Sequence, residues 1–182
     1  MPDNDFWKIR NRTTIYEYPP FLKLERQTVE LSDGRVIDDY HRLEMPEATV
    51  IYPMTDYGSV VMIRAYRHGI GDTTLMLPGG LLVDKEMPID GAKRELLEET
   101  GYVSDCWTSL GNFIPNSNYG CGRVHIFKCS SVHKTQVENS GDLESSSIEI
   151  FAQERVREFI RLGQIHALSS MAAISLVMCD YL

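Results

Sequence analysis

The stretch Gly80–Tyr102, GLLVDKEMPIDGAKRELLEETGY, carries charged residues at fixed distances from its first glycine. Glu86 follows that glycine after five residues, and an arginine with three glutamates begins after seven more. Glu95, Glu98 and Glu99 lie at i, i+3 and i+4, so a helix places all three carboxylates on one face. Carboxylates that close repel one another, and a bound divalent cation relieves the repulsion. The stretch therefore predicts a helix that binds a cation.

The helix is expected to run from Pro88 to Thr100. Proline suits its first turn, and Gly101 suits the left-handed conformation that ends a helix. A solvated helix face with ion pairs such as Arg94 with Glu98 is the other interpretation. That interpretation leaves the spacing of Gly80 unexplained, so we favour the binding site.

This spacing resembles the signature of the Nudix hydrolases. The resemblance implies hydrolysis of a phosphoanhydride with Mg²⁺, which neutralises phosphate oxygens and lowers the pKa of bound water, and Mn²⁺ is a possible substitute. It further implies metal ligands at Glu95, Glu98, Glu99 and the backbone carbonyl of Gly79, catalytic roles for Glu98 and Glu99, and structural roles for Glu86, Arg94 and Gly101. The glycine at position 80 lets the backbone approach a substrate closely.

Segments outside this stretch resemble the ADP-ribose and nucleoside-diphosphate-sugar pyrophosphatases. They are 29–35, 63–67, 77–80 and 148–150, followed by Gly163-Gln164-Ile165 and a closing helix. The resemblance implies that Arg67 contacts a phosphate or ribose of the substrate, and Arg64 on the same strand is a further substrate-binding candidate. Ordinary surface arginines are the alternative interpretation of both. It also implies that a loop glutamate, here Glu144, acts as the general base, with Asp142, Glu138 and Glu149 as alternatives.

The order of elements predicts an α+β fold. The resemblance specifies the Nudix fold, a mixed β-sheet between helices with an N-terminal antiparallel strand pair. Strands are expected at 21–31, 36–43, 49–52, 60–63, 74–77, 124–129 and 148–151, and further helices at 153–162 and 166–181. Residues 1–45 are expected to hold the strand pair and to serve in dimerisation, and residues 46–182 to form the Nudix domain.

Composition restricts the partners and the location. A formal net charge of -8, from 26 acidic and 18 basic residues, disfavours nucleic acid, which binds basic surfaces. The chain shows no long apolar run, so we expect no membrane span. Four cysteines without metal-ligand spacing are typical of a cytoplasmic protein. The resemblance also implies a homodimer in which an N-terminal aromatic, Phe6, Trp7, Tyr16 or Tyr18, stacks on a base. Packing in a core or an interface explains these aromatics equally well.

Three residues differ from the resembled subfamily. Met76 and Val83 stand where acids are usual, and Lys85 stands where glycine is usual. The resemblance makes cleavage of ADP-ribose or a related nucleoside diphosphate sugar, to a nucleoside monophosphate and a sugar phosphate, the leading hypothesis, and the departures at Met76 and Val83 count against it. A dinucleoside polyphosphate, a nucleoside triphosphate or a coenzyme is the alternative substrate. A binding module without hydrolysis is the alternative from another functional class.

Overall fold

A computed structural model of the chain describes residues 6–139 and 146–179. Contacts between Cα atoms divide the described residues into two compact units. The first contains the chain up to Pro46 together with Ile114–Arg123, and the second contains Glu47–Phe113 and the chain from Val124 onward. The roles expected for the segments 1–45 and 46–182 stay predictions.

The first unit is a three-stranded antiparallel sheet in the order β1 (Lys8–Tyr18), β2 (Leu22–Glu30) and β3 (Val36–Glu44). Strands β2 and β3 confirm the predicted strand pair. Strand β1 is exposed along its whole length, so its sequence KIRNRTTIYEY has no need of the alternation between apolar and polar residues that identifies a half-buried strand. For that reason the strand was not predictable from the sequence pattern.

The second unit contains three helices and the remaining eight strands of the described residues. These are β4 (Ala48–Pro53), β5 (Ser59–Arg67), β6 (Asp72–Met76), α1 (Pro88–Thr100), β7 (Tyr102–Val103), β8 (Cys106–Phe113), β9 (Val124–Ser130), β10 (His133–Lys134), β11 (Ser146–Ala152), α2 (Gln153–Arg161) and α3 (Leu168–Met178). Strand β4 pairs parallel with β9, whereas β9 with β8, β11 with β5, β5 with β6 and β7 with β10 are antiparallel. The predicted mixed α+β architecture is confirmed, although β8, which is mostly exposed, was not predicted.

Strands β4 and β5 lie between two apolar cores. Alternate residues of a strand point to opposite faces, and one face carries Val50, Tyr52, Val60 and Met62 against residues of α2 and α3. The other face carries Ile51 and Val61 against Ala92 and Leu96 of α1. Helices therefore cover both faces, which explains why these strands are almost continuously apolar. Burying one such aliphatic side chain contributes about 1.5–3 kcal/mol.

Helix α1 ends where the sequence predicted. Pro88 lies in its first turn, and Gly101 adopts φ 72° while its N–H bonds to the carbonyl of Leu97. A Cβ atom at position 101 would lie 2.1 Å from the carbonyl oxygen of Gln136. Glycine at this position therefore provides both the left-handed turn and the space for the following chain.

Within residues 6–139 and 146–179, no helix has the length and apolar character that a membrane span requires.

Candidate active site

The three glutamates of α1 differ in how far they are exposed. The side chains of Glu95 and Glu99 are 12% and 9% exposed, whereas that of Glu98 is 44% exposed. The first two therefore lie against the sheet, and Glu98 lies at the border with solvent. Burial raises the pKa of Glu95 because it disfavours the charged carboxylate.

Arg94 holds three carboxylates together. Its Nε and Nη2 atoms donate to the two oxygens of Glu86, each at 2.9 Å. Its Nη1 atom donates to Glu95 at 2.7 Å and to Glu98 at 3.0 Å. Because Nη2 also reaches the carbonyl of Leu81 at 3.1 Å, one planar guanidinium connects the loop before α1 with the carboxylate face of α1.

Gly79 and Gly80 bring the backbone of the preceding loop against these carboxylates. The N–H of Gly79 donates to Oε2 of Glu99 at 2.7 Å. A Cβ atom at position 80 would lie 2.5 Å from the carboxyl carbon of Glu95. A Cβ at position 79 would lie 2.1 Å from the carbonyl oxygen of Thr49. Any side chain at either position would displace the carboxylates or β4.

The structure brings Arg67 to the carboxylates and places Arg64 elsewhere. Nη2 of Arg67 lies 3.9 Å from Oε1 of Glu99, and its Nε donates to the sulfur of Met76 at 3.3 Å. Arg64 is three residues earlier on β5, so its side chain points to the opposite face of the sheet. There its Nε donates to Glu149 at 2.5 Å. A contact between Arg64 and substrate stays a prediction without support from this arrangement.

The described residues on either side of the segment that carries Glu144 are bound to α1 and to β5. Glu144 itself and Asp142 lie outside the described residues. The N–H of Asn139 donates to the carbonyl of Glu98 at 2.8 Å. Ser146 pairs with Ala65, two residues before Arg67 on β5. Six residues therefore connect one anchor on α1 with a second anchor on β5.

The other two candidates for the general base are engaged in ion pairs. Glu138 accepts a hydrogen bond from Lys134 at 3.1 Å, and its own backbone N–H, followed by Lys134, lowers the pKa of its carboxyl. Glu149 accepts the bonds from Arg64. Both carboxylates are therefore already paired with a basic side chain and are not left to accept a proton from water.

The residues present fit a hard divalent cation in their chemistry. Glu95, Glu98 and Glu99 supply only oxygen ligands, which Mg²⁺ prefers, and the space that a Cβ at position 80 would fill lies against Glu95. As placed, no three acidic, histidine or cysteine side chains within the described part of the chain converge on one point. Donors from Arg94 and Gly79 occupy the carboxylate oxygens instead. The assignment of metal ligands stays a prediction.

Lys85 stands where the resembled subfamily usually has glycine, and its backbone conformation shows the consequence. It adopts φ 61°, a left-handed conformation that glycine adopts at little cost and other residues at about 1–2 kcal/mol. Its side chain is 89% exposed. Lysine at this position therefore adds conformational strain to the loop before α1, while its side chain points into solvent and not into the site.

Two further residues, one in α1 and one in β4, lie next to the site and were not among the predicted site residues. Gly91 lies inside α1, where a Cβ would be 2.4 Å from Leu82 and 3.0 Å from Glu86. A glycine inside a helix destabilises it and so indicates a close approach. Thr49 is a polar residue within the apolar strand β4 and is completely buried. Both signals were visible in the sequence as exceptions to the local pattern.

We expect replacement of Glu86 by glutamine to destabilise the protein in a way that depends on pH. Arg94 lowers the pKa of Glu86 below its usual value of 4.5. The ion pair therefore contributes stability above that pH and loses it as the pH falls through the lowered folded-state pKa. Glu86→Gln should cost on the order of 2 kcal/mol near neutral pH.

Urea unfolding of the wild type and Glu86→Gln at several pH values between about 7 and 3 measures this difference. The difference in free energy of unfolding between the two proteins should decrease as the solution becomes more acidic. A gap of constant size over the whole range would show that the charge of Glu86 is not responsible.

Two family profiles match the sequence. The profile of the NUDIX domain matches residues 45–168, which is more than half of the chain. The profile of the nucleoside diphosphate sugar hydrolase N-terminal domain matches residues 7–43.

Several curated relatives are similar to the chain. The ADP-ribose pyrophosphatase of Bacillus subtilis (strain 168) is 31% identical over 106 residues, covering 58% of this chain and 57% of that protein. The ADP-ribose pyrophosphatase of Mycobacterium tuberculosis (strain ATCC 25618 / H37Rv) is 33% identical over 135 residues, covering 74% and 64%. The match thus spans less than two thirds of either relative. The methanol dehydrogenase activator of Bacillus methanolicus is 26% identical over 157 residues, covering 84% and 83%.

A solved structure with the description "Crystal structure of ADP compounds hydrolase" superposes with a TM-score of 0.82. It covers 94% of this chain and 91% of that chain at 22% sequence identity. The similarity establishes the fold, and it confirms the architecture expected from the sequence.

Proposed function

Because this chain belongs to the Nudix family, whose members generally use divalent metal ions, we propose that it hydrolyses the pyrophosphate bond of ADP-ribose or a related nucleoside diphosphate sugar with Mg²⁺. The products are a nucleoside monophosphate and a sugar phosphate. The observation that carries the proposal is the carboxylate face of α1, which the backbone of Gly79 and Gly80 meets without intervening side chains. The N-terminal profile and the two ADP-ribose pyrophosphatase relatives support the substrate class.

Each residue of the site has a physical task in this reaction. Glu95, Glu98 and Glu99, with the carbonyl of Gly79, would hold the divalent ion. The bound ion supplies neutralisation of the phosphate oxygens and activation of water. Arg67, already 3.9 Å from Glu99, donates to a phosphate oxygen of the substrate, for which its fork of donors is suited.

The remaining groups position the site and move the proton. Arg94 and Glu86 hold the loop against α1, which keeps the reacting groups in register. Glu144 accepts the proton of the attacking water as general base. Asn139, five residues before Glu144, donates to the carbonyl of Glu98, and this supports the assignment.

A substrate panel tests the proposal directly. The purified protein is incubated with Mg²⁺ and with ADP-ribose, other nucleotide sugars, dinucleoside polyphosphates and nucleoside triphosphates, and products are separated by chromatography. We expect release of a nucleoside monophosphate from ADP-ribose or another nucleotide sugar, and none after chelation with EDTA. Turnover of only a dinucleoside polyphosphate or a nucleoside triphosphate would instead identify one of these as the substrate. Tight binding of a nucleotide sugar without any product would favour the binding module.

We also propose that the chain forms a homodimer through its N-terminal strands. Strand β1 exposes Ile9, Ile15, Tyr16 and Tyr18, and this apolar surface on a strand at the edge of the sheet supports the proposal. Light scattering of the purified protein measures its mass, and the mass of one chain at all concentrations would exclude the dimer. The cytoplasmic location stays a prediction.

A further inference from the structure

Thr49 has a buried hydroxyl group without a hydrogen-bond partner. Its side chain is completely buried, and among the described residues its Oγ1 atom makes no hydrogen bond. A buried polar group in that state destabilises the folded protein relative to an apolar group of the same shape. Valine has that shape and is favoured in strands. The hydroxyl is therefore unexplained by packing.

The direction of the Thr49 side chain follows from the pattern of β4. Val50 and Tyr52 belong to the core on the side of α2 and α3, whereas Ile51 belongs to the core beneath α1. Residues at even spacing along a strand share a face. Thr49 consequently points toward α1, on the same side as Ile51.

Thr49 is also the cross-strand neighbour of Gly80. Ala48 forms a bridge with Leu81, and the N–H of Thr49 donates to the carbonyl of Gly80 at 2.9 Å. Residues directly opposite in such a pair place their Cβ positions about 4.5–5.5 Å apart on one face. The Cβ position of Gly80 lies only 2.5–2.6 Å from the carboxylate of Glu95. The side chain of Thr49 therefore lies on the face that carries this carboxylate, next to the Cβ position of Gly80.

We propose that Thr49 is a positioning residue for Glu95 in the ion-loaded site. When Glu95 exchanges Arg94 for a divalent ion, the hydroxyl of Thr49 donates to the carboxylate, directly or through one water molecule. The absence of a side chain at Gly80 leaves the path between them open. The buried hydroxyl of β4 then has a partner, a carboxylate whose orientation changes with the ion. The inference rests on the proposed function, since it requires Glu95 to be a metal ligand.

The test compares Thr49→Val with the wild type in two measurements. Thermal unfolding of the metal-free proteins should show Thr49→Val to be at least as stable, because the hydroxyl it removes has no partner. Titration of Mn²⁺, followed by electron paramagnetic resonance of the free ion, should show affinity about 10- to 100-fold weaker, the usual loss when a group that supports a metal ligand is removed. If Thr49 had only a structural role, Thr49→Val would be less stable than the wild type and would bind Mn²⁺ with unchanged affinity.

Two further variants make the result specific. Thr49→Ser keeps the hydroxyl and loses a methyl group, so it should be less stable but bind Mn²⁺ nearly as the wild type does. Tyr52→Phe removes the other buried hydroxyl of β4 that lacks a partner, on the opposite face, and should leave Mn²⁺ affinity unchanged.

Each of three results would overturn this inference without affecting the proposed function. The first is an Mn²⁺ affinity of folded Thr49→Val equal to that of the wild type, and the second is an equal loss of Mn²⁺ affinity in Thr49→Ser and Thr49→Val. The third is failure of metal-free Thr49→Val to fold. A wild type that binds no Mn²⁺ and hydrolyses no substrate of the panel would instead refute the proposed function.

Discussion

Replacement of Glu99 by glutamine is expected to abolish nearly all turnover while leaving the fold intact. Glu99 is 9% exposed, and its Oε2 accepts the N–H of Gly79 at 2.7 Å. The carbonyl oxygen of glutamine can accept the same bond, so the loop stays in place. What the amide cannot supply is the negative charge for a divalent ion.

The size of the effect follows from the role of the ion. Metal ions contribute several kcal/mol of charge stabilisation in the transition state, and about 1.4 kcal/mol corresponds to a factor of ten in rate. Turnover should therefore fall by about 10²- to 10³-fold in Glu99→Gln. Steady-state kinetics at saturating Mg²⁺, together with the thermal unfolding temperature, checks both parts of the prediction.

Glu154→Gln is the matched control. Glu154 lies in the first turn of α2 and is exposed, so the same change of charge on another helix should leave turnover close to the wild type. Undiminished Mg²⁺-dependent turnover in Glu99→Gln would mean that Glu99 is not a metal ligand.

Replacement of Glu144 by glutamine should lower kcat by about 10²- to 10⁴-fold, the range for loss of a general base. The loop that contains Glu144 starts from Asn139, bound to the carbonyl of Glu98, and returns at Ser146, paired with Ala65. A base that acts on water in the transition state affects kcat more than substrate binding. KM and Mn²⁺ affinity should therefore change little.

Two other loop acids decide whether the effect belongs to Glu144. Glu138→Gln removes a carboxylate that already pairs with Lys134, and it should retain activity. Asp142→Asn tests the remaining alternative. Full activity in Glu144→Gln together with a loss in Asp142→Asn would transfer the role of base to Asp142.

Much of the site was predictable because its residues are close in sequence. The helix from Pro88 to Thr100 and the shared face of Glu95, Glu98 and Glu99 follow from helical periodicity alone. The family follows from the spacing of the same stretch, and the domain profile confirms it. Strands β1 and β8 were not predicted because each is mostly exposed and carries no periodic apolar signal.

Other features depended on contacts between distant segments. Arg64 and Arg67 have the same residue type and lie on one strand, yet only Arg67 lies beside Glu99. The register of β11 against β5 gives Arg64 a different partner, Glu149. Sequence spacing shows that the two side chains lie on opposite faces, but it does not show which face the helix covers.

The sequence by itself determined the local chemistry: which carboxylates share a helix face, where that helix begins and ends, and which family the pattern indicates. Periodicity and capping act over a few residues, so one sequence contains all the information they need. Only the tertiary structure decided that Arg94 also reaches Glu95 and the carbonyl of Leu81, and that Thr49 lies opposite Gly80. These contacts arise because two cores pack β4 against α1 and against α2 and α3, and packing fixes a register that local preference leaves open.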